Sequence, residues 1–467
     1  MRIHRLRNSK FLFLFVLLCG IAGSARAQVF VPDERFKTDI LLVVAHPDDE
    51  TVVSSYLARA SFDQHKRIAV VYSTRGDSGA NAAGREHARA LGLVRESEGR
   101  RAVSSLGITN VWFLDGRDTV SQNVLVSLAA WPAASVVEQI VRVFRLTRPE
   151  IVLTWLPASV AGENHGDHQA AGVLATQAFD LAGDPSVFAW QLAAPIREYE
   201  NALEGLRPWQ AKKLYYFTDA FDTGFFHGRG PEYSGREISP ARKISYLELA
   251  TRSAAPYYTQ SPDPNLNRRI EAGEGVDSVT TKLQQAGYFP DPVRLWLGKS
   301  LVPSAPTADV FEGVRAGPIP FTPPKRPAPE VAFELEISLG GVWGFYREFW
   351  RAHELPSLRL LRPEIAVRPG DTLTIPVVIR NNDSQSTKLR LTVSVPDTWK
   401  IKAPSPNLQV SVPGDGEVTV SLPVIAPAKE NPNFAEIRII ATRGERFTFQ
   451  GSVFAQVNSW VAEQLKW

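Results

Sequence analysis

Ile40-Leu41-Leu42-Val43-Val44 runs without a break into Ala45-His46-Pro47-Asp48-Asp49-Glu50. Five consecutive leucine or β-branched residues read as a buried strand. Such a strand should end in polar turn residues; this one ends in a histidine and three carboxylates. A helix start accounts for part of that, with Pro47 in a first turn and acids complementing the helix dipole. It explains Asp49 and Glu50 and leaves His46 unexplained. A strand that releases His and Asp at its carboxyl end places them where open α/β sheets bind ligands.

A second stretch has the same shape. Ile151-Val152-Leu153-Thr154-Trp155-Leu156 reads as a later strand of the same sheet. A Gly-containing loop follows, with Asn164-His165-Gly166-Asp167-His168, and then the helix-like Gln169-Ala170-Ala171-Gly172-Val173-Leu174-Ala175. Three of the eight histidines, His46, His165 and His168, therefore follow strands. One histidine there is more often a packing residue, but two such clusters on one sheet edge point to a site.

The residue types point to a metal. Zinc takes imidazole and carboxylate, and a catalytic site keeps three protein ligands with one position open. His46 and Asp49, three apart across a strand-to-helix turn, can reach one ion from the same side, and His168 supplies a third ligand. Asp48 must point elsewhere, which frees it as a base toward the activated water. His165 can donate to a developing oxyanion, with Asp167 tuning or orienting it.

These motifs resemble the zinc-dependent PIG-L/LmbE-type de-N-acetylases, which include N-acetylglucosaminyl-phosphatidylinositol deacetylase. The resemblance implies the same roles: His46, Asp49 and His168 as metal ligands, Asp48 as general base, His165 as oxyanion stabiliser. It departs at Gly166, where the family more often has proline. That should alter the loop rather than the ligand set. The stretch Thr74-Arg75-Gly76-Asp77-Ser78-Gly79 is similar to the family's Thr-x-Gly-x-x-Gly loop, and Arg95 and Glu98 match its Arg-x-x-Glu pair. Substrate contacts from Arg75, Asp77 and Arg95 follow from the resemblance. For Arg95 and Glu98 an ordinary helix-surface pair is as good a reading. The likeness extends from about Thr38 to Asp180 and fades toward Thr218.

The beginning of the chain reads as an export signal. Arg2, Arg5, Arg7 and Lys10 precede an apolar run from Phe11 to Leu18, and Ala25-Arg26-Ala27 offers a cleavage site before Gln28. Leu17-Leu18 before Cys19 fits lipoprotein processing poorly. A periplasmic or extracellular protein is expected, with no transmembrane span once the signal is cleaved. Removing five basic residues takes the formal net charge from +3 to about −2, which argues against a nucleic-acid partner. It also removes the single cysteine, so no disulfide is available.

Beyond the signal (1–27) the chain divides by character. Residues 28–220 alternate strands and helices, as in a Rossmann-like, mostly parallel sheet with helices on both faces. Residues 221–317 form an aromatic and polar extension packed on that domain, where His227, Arg229, Tyr257 and Tyr258 either line the cleft or cover the sheet edge. The second reading is preferred. Residues 318–356 read as a Pro-rich linker and connecting segment, and 357–467 as an all-β, immunoglobulin-like sandwich of short alternating strands.

The sequence thus predicts an exported amide hydrolase that removes N-acetyl from N-acetylglucosamine-type sugars or glycoconjugates, with Zn2+, or another divalent metal such as Fe2+, as cofactor. Neutral N-acetylglucosaminides stand first as substrates. A zinc hydrolase of a non-sugar amide or N-acyl metabolite is one alternative, and a non-catalytic glycan-binding surface protein is another. A non-haem iron oxygenase has the same ligand types but is an all-β jelly roll, so it ranks below both.

Overall fold

The computed structural model describes residues 33–159, 165–192, 206–220, 222–261, 263–273, 280–281, 289–324, 333–353, 362–402, 407–444 and 446–458. The expected export signal, Asn164 and the C-terminal nine residues lie outside them.

The apolar run Ile40–Val44 is strand β1. Strands β2 (Ile68–Tyr72), β3 (Asn110–Phe113), β4 (Ile151–Trp155) and β5 (Lys213–Phe217) join it in parallel, with Ile40 level with Ile68 on one side and Ile151 on the other. Every residue of β1, β2, β4 and β5 is buried, which requires cover on both faces. The cover comes from two packed groups of helices. One comprises α1 (Ser54–Ala58), α2 (Ala88–Ser105), α6 (Tyr246–Ala254) and α7 (Pro264–Glu271). The other comprises α3 (Val124–Ala130), α4 (Ala133–Thr147) and α5 (Gly166–Leu181).

The extension contributes to the same sheet. Its short strands β6 (Glu232–Tyr233) and β7 (Val293–Arg294) pair with each other, and β8 (Trp296–Ser300) adds antiparallel to β5. The order is β3-β2-β1-β4-β5-β8. Chain direction around the sheet reverses between β1 and β4, and the crevice at their carboxyl ends is where open α/β sheets hold ligands.

The C-terminal region is a two-sheet β unit. One sheet has the order β10-β17-β16-β12-β14 and the other β13-β15-β11-β9. Their ranges are β9 Leu335–Leu339, β10 Glu364–Val367, β11 Thr372–Asn381, β12 Thr387–Ser394, β13 Lys400–Ile401, β14 Asn407–Val412, β15 Gly416–Ile425, β16 Asn431–Arg443 and β17 Arg446–Val457. Alternation does the work: Leu373, Ile375, Val377 and Ile379 of β11 and Leu389, Leu391 and Val393 of β12 share one apolar cluster while their neighbours face out.

The boundary of this unit is earlier than expected. Within the segment read as a connection, Leu335–Leu339 alternates and adds to the edge of β11, with Leu339 opposite Val377. Gly341–Ala352 then forms helix α8, which buries Trp343, Tyr346, Phe349 and Trp350. Of the Pro-rich passage, residues from 325 onward lie outside the described set. No single helix among the described residues is long and apolar enough to cross a membrane; α3 and α4 meet that test only together, across an 86° bend.

Candidate metal centre

Where β1 ends, the backbone turns sharply. Asp48 sits in the left-handed region, with φ 108°, and Asp49–Val52 form a single 3-10 turn. That conformation is costly for a residue with a Cβ. It folds the Asp49 carboxylate back beneath the strand end. Asp49 Oδ2 accepts from Ala45 N (2.8 Å), His46 N (2.9 Å) and Trp155 Nε1 (2.7 Å). Asp49 Oδ1 lies 3.4 Å from His46 Nδ1 and 3.1 Å from His168 Nε2.

The other nitrogen of each imidazole faces another carboxylate. His46 Nε2 is 3.0 Å from Asp118 Oδ1 and 3.4 Å from Asp167 Oδ2. His168 Nδ1 is 3.4 Å from Asp219 Oδ2, close enough for an ion pair but too poorly aligned for a hydrogen bond. Both rings are thus bracketed by acids. His165, whose carbonyl accepts the Gln169 N–H, caps α5 with its ring 5.2 Å from that of His46. Its Nδ1 is buried with no hydrogen-bond partner among the described residues.

The charges are strongly coupled. Burial opposes ionisation of Asp49, but the His168 and His46 imidazoles hold it well below the usual carboxylate range. His168 is pushed up to about 10: burial works against this, and Asp49 and Asp219 outweigh it. Asp48 is pushed up to about 8, first by burial and then by the adjacent Asp49 charge. His165 falls to about 3 through burial and the neighbouring His46 and His168. The surrounding acids also hold the His46 imidazole well above its usual range, against its burial, so the cluster favours positive charge. Imidazole nitrogens of His46, His165 and His168 come within 4.8 Å of one another, as do donor atoms of His46, Asp118 and Asp167. The buried cluster could hold a divalent ion, and its donor chemistry fits one.

The centre opens into a cavity of about 560 Å³ lined by His46, Asp48, Asp49, His165 and His168, together with Ser78, Gln122, Gln260 and Phe289. The two sequence clusters therefore meet. Asp167, expected to orient His165, instead accepts from Thr119 N and Thr119 Oγ1, both at 2.8 Å, and faces His46. It sits on the first turn of α5, and Thr119 supplies the nearest donors.

Arg75 and Asp77 are not among the residues lining the cavity. The Arg75 guanidinium turns back to Leu114 O (2.9 Å) and Glu96 (3.2 Å). Arg95 does line it, but its donors serve protein: Gly76 O, Ala80 O (2.8 Å) and Thr259 Oγ1 (3.4 Å). Glu98 accepts from Thr259 N (3.0 Å) and Thr259 Oγ1 (2.6 Å). The pair is not a surface pair; both residues are buried and clamp the extension through Thr259, with Arg95 also on the cavity wall. Of the extension residues considered, Tyr257 lies beneath the site, donating to Glu50 at 2.6 Å alongside Tyr72 at 2.8 Å. His227, Arg229 and Tyr258 pair elsewhere, with Glu232, Trp296 and Glu271.

Asp118, Asp219 and Trp155 were not singled out from sequence. The signal was present in weak form: each ends or closely follows a parallel strand, as His46 does. Gly166 is explained. Its N–H donates to Ser121 O (2.8 Å), which proline cannot do, and a Cβ there would lie 2.7 Å from Ser121 O and Ser127 Oγ.

A Rossmann-like α/β domain with a buried His/Asp cluster at the switch point of its sheet defines a class, the α/β domains with a candidate metal site at the strands' carboxyl edge. Residues 41–179 match the family described as PIG-L: GlcNAc-PI de-N-acetylase, so the chain carries a PIG-L family domain, that of a hydrolase family. It is similar to a 1D-myo-inositol 2-acetamido-2-deoxy-alpha-D-glucopyranoside deacetylase of Thermobifida fusca, 29% identical over 266 residues, covering 54% of this chain and 78% of that protein. The Streptomyces scabiei protein of the same name is 33% identical over 172 residues, 33% of this chain and 52% of that one. Among solved structures, N,N'-diacetylchitobiose deacetylase from Pyrococcus horikoshii aligns over 63% of this chain and 94% of its own, with 16% identity and a TM-score of 0.37.

Proposed function

We propose that this protein is a zinc-dependent amide hydrolase that removes acetyl from N-acetylglucosamine-type sugars. One observation carries the reading: three N–H donors hold Asp49 Oδ2, while Asp49 Oδ1 faces one nitrogen of His46 and one of His168. His46, Asp49 and His168 are the residues that would hold the ion. Asp118 lies against the far nitrogen of His46, and Asp219 pairs by charge with that of His168, which orients each ring and leaves its inner lone pair for a metal. Asp167 suits the outer role better than ligation, because Thr119 donates to both of its oxygens, and Asp118, held at Oδ2 by Ser78 N, turns Oδ1 to the far nitrogen of His46. Zn2+ when bound, or Fe2+ in its place, supplies a Lewis acid for the acetamide carbonyl and lowers the pKa of water.

The rest falls to the chain itself. Asp48, on the cavity wall, takes a proton from the attacking water and returns it to the leaving amine, so that water and amide become acetate and amine. His165 is held neutral, and a neutral imidazole still donates one N–H, here to the tetrahedral oxyanion. The cavity volume lies in the range of small-ligand sites, and Ser78, Gln122 and Gln260 suit a hydroxyl-rich substrate. The relatives named above are deacetylases of a 2-acetamido-2-deoxyglucopyranoside, which supports an N-acetylated amino sugar. We also read the protein as exported, on residues 1–27, and its C-terminal unit as immunoglobulin-like; N-terminal sequencing of secreted protein should begin at Gln28. The deciding experiment is acetate release from neutral N-acetylglucosaminides, before and after chelation and with zinc restored. Release confined to non-sugar amides would remove the sugar assignment, and no release from any amide would remove the hydrolase.

A further inference from the structure

Trp155 is the last residue of β4 and is buried, 1% exposed. Its indole N–H can only donate, so burial obliges it to find an acceptor. The acceptor is Asp49 Oδ2, at 2.7 Å. The same indole lies flat against the His168 ring, with centroids 4.0 Å apart and planes 1° from parallel. Phe217 of β5 packs at 4.6 Å, tilted 46°, and holds the indole in place. Its backbone is fixed too: a Cβ on Gly172 would lie 2.2 Å from Trp155 O, so α5, which carries His168, can approach β4 this closely only through glycine.

One side chain therefore touches two of the three residues read as metal ligands, through two different interactions. The hydrogen bond adds a side-chain donor to Asp49 Oδ2, beside the Ala45 and His46 N–H groups, and helps to leave Oδ1 presented to the imidazoles. The stack sets the plane of His168, and hence the direction of its Nε2 lone pair. We propose that Trp155 is a positioning residue for the metal centre, joining β1 and α5 so that Asp49 and His168 are aligned before an ion arrives. The inference rests on the reading of His46, Asp49 and His168 as ligands. Neither the strand pattern nor the HGDH-type motif points to it.

The two interactions separate by substitution. Trp155→Phe keeps a ring against His168 and removes the donor, leaving Asp49 with two backbone N–H groups. Zinc affinity, measured by chelator competition, should fall about 10- to 100-fold, the usual size for loss of an outer-shell partner. The thermal midpoint of the metal-free variant should stay near that of the metal-free parent, and excess zinc should restore turnover. Trp155→Leu removes donor and ring together and should weaken affinity further. The unaltered protein supplies an independent readout should either variant fold poorly: cobalt loaded in place of zinc should quench one indole emission component strongly, because only a ring in contact with a ligand lies so near the ion. Unchanged zinc affinity in a folded Trp155→Phe variant, or no quenching in the parent, overturns the proposal. A parent that binds no metal overturns the ligand reading beneath it, which is a distinguishable result.

Discussion

Asp48 and Asp49 are neighbours in sequence with opposite surroundings. Asp49 is held by three donors and two imidazoles, whereas burial beside that charge pushes Asp48 up to about 8. The left-handed backbone at Asp48 turns the chain sharply, so that Asp49 folds back against the end of β1 while Asp48 stays on the cavity wall. Asp48→Asn should keep its zinc and lose roughly two or more decades of turnover, a typical effect of removing a general base. Asp49→Asn should lose zinc as well, because a neutral amide is a poorer ligand and would set its NH₂ group against the ring nitrogens or the three donors. Metal content and acetate release measured on both variants check the assignment, and equal metal loss would overturn it. Asp118→Asn and Asp219→Asn should each weaken zinc binding about 10- to 100-fold without removing a ligand. Competition with a chromophoric chelator measures this. If either variant binds as tightly as the parent, that acid does not support its histidine.

At the scale of elements, the site is a set of strand ends. His46 follows β1, Trp155 ends β4, Asp118 follows β3, and Asp219 follows β5. The ends of β1 and of the β4–α5 connection were legible because each packs several ligand-type residues into a few positions. Asp118 and Asp219 were not, because a lone acid after a strand looks like any turn residue until the sheet is assembled. Arg75 illustrates the converse. It follows β2 in the expected loop, yet the Leu114 carbonyl and Glu96 lie closer than the cavity and take its guanidinium. The alternation of β11 and β12 was equally readable, whereas β9 is short and half-buried and shows its place only when paired with β11. The α5 start gives a test at this scale. Gly166→Ala should destabilise the fold by about 1–3 kcal/mol, the usual cost of overpacking, since the new methyl would collide with Ser121 O, Ser127 Oγ and Asn123 O. Urea unfolding of the variant measures it. A loss under about 0.5 kcal/mol, the range of ordinary surface substitutions, would mean that the 121–127 segment yields freely.

Across the whole molecule, the β unit is attached to the parts of the first domain that frame the cavity. Tyr346 of α8 donates to Pro157 O (3.2 Å), at the start of the connection that carries His165 and His168. Glu364 of β10 accepts from Asn123 Nδ2 (2.8 Å), just beyond the loop that presents Asp118 and Thr119. His353 reaches Asp180 near the end of α5 (3.1 Å), beside Lys299 of β8. Between these polar contacts, Trp343, Tyr346, Phe349 and Trp350 belong to the same apolar cluster as the core of the first domain. A fragment ending at Pro324 would uncover the surface of α3 that α8 and β10 now protect. It would also release both cavity loops from their outer anchors. Such a fragment should therefore self-associate, melt at a lower temperature than the full chain and bind zinc more weakly, although it retains every residue read as a ligand. Sedimentation and zinc competition on the fragment test this. A monodisperse fragment with full-chain zinc affinity would show that the β unit is a separable appendage and that the first domain holds its loops in place unaided.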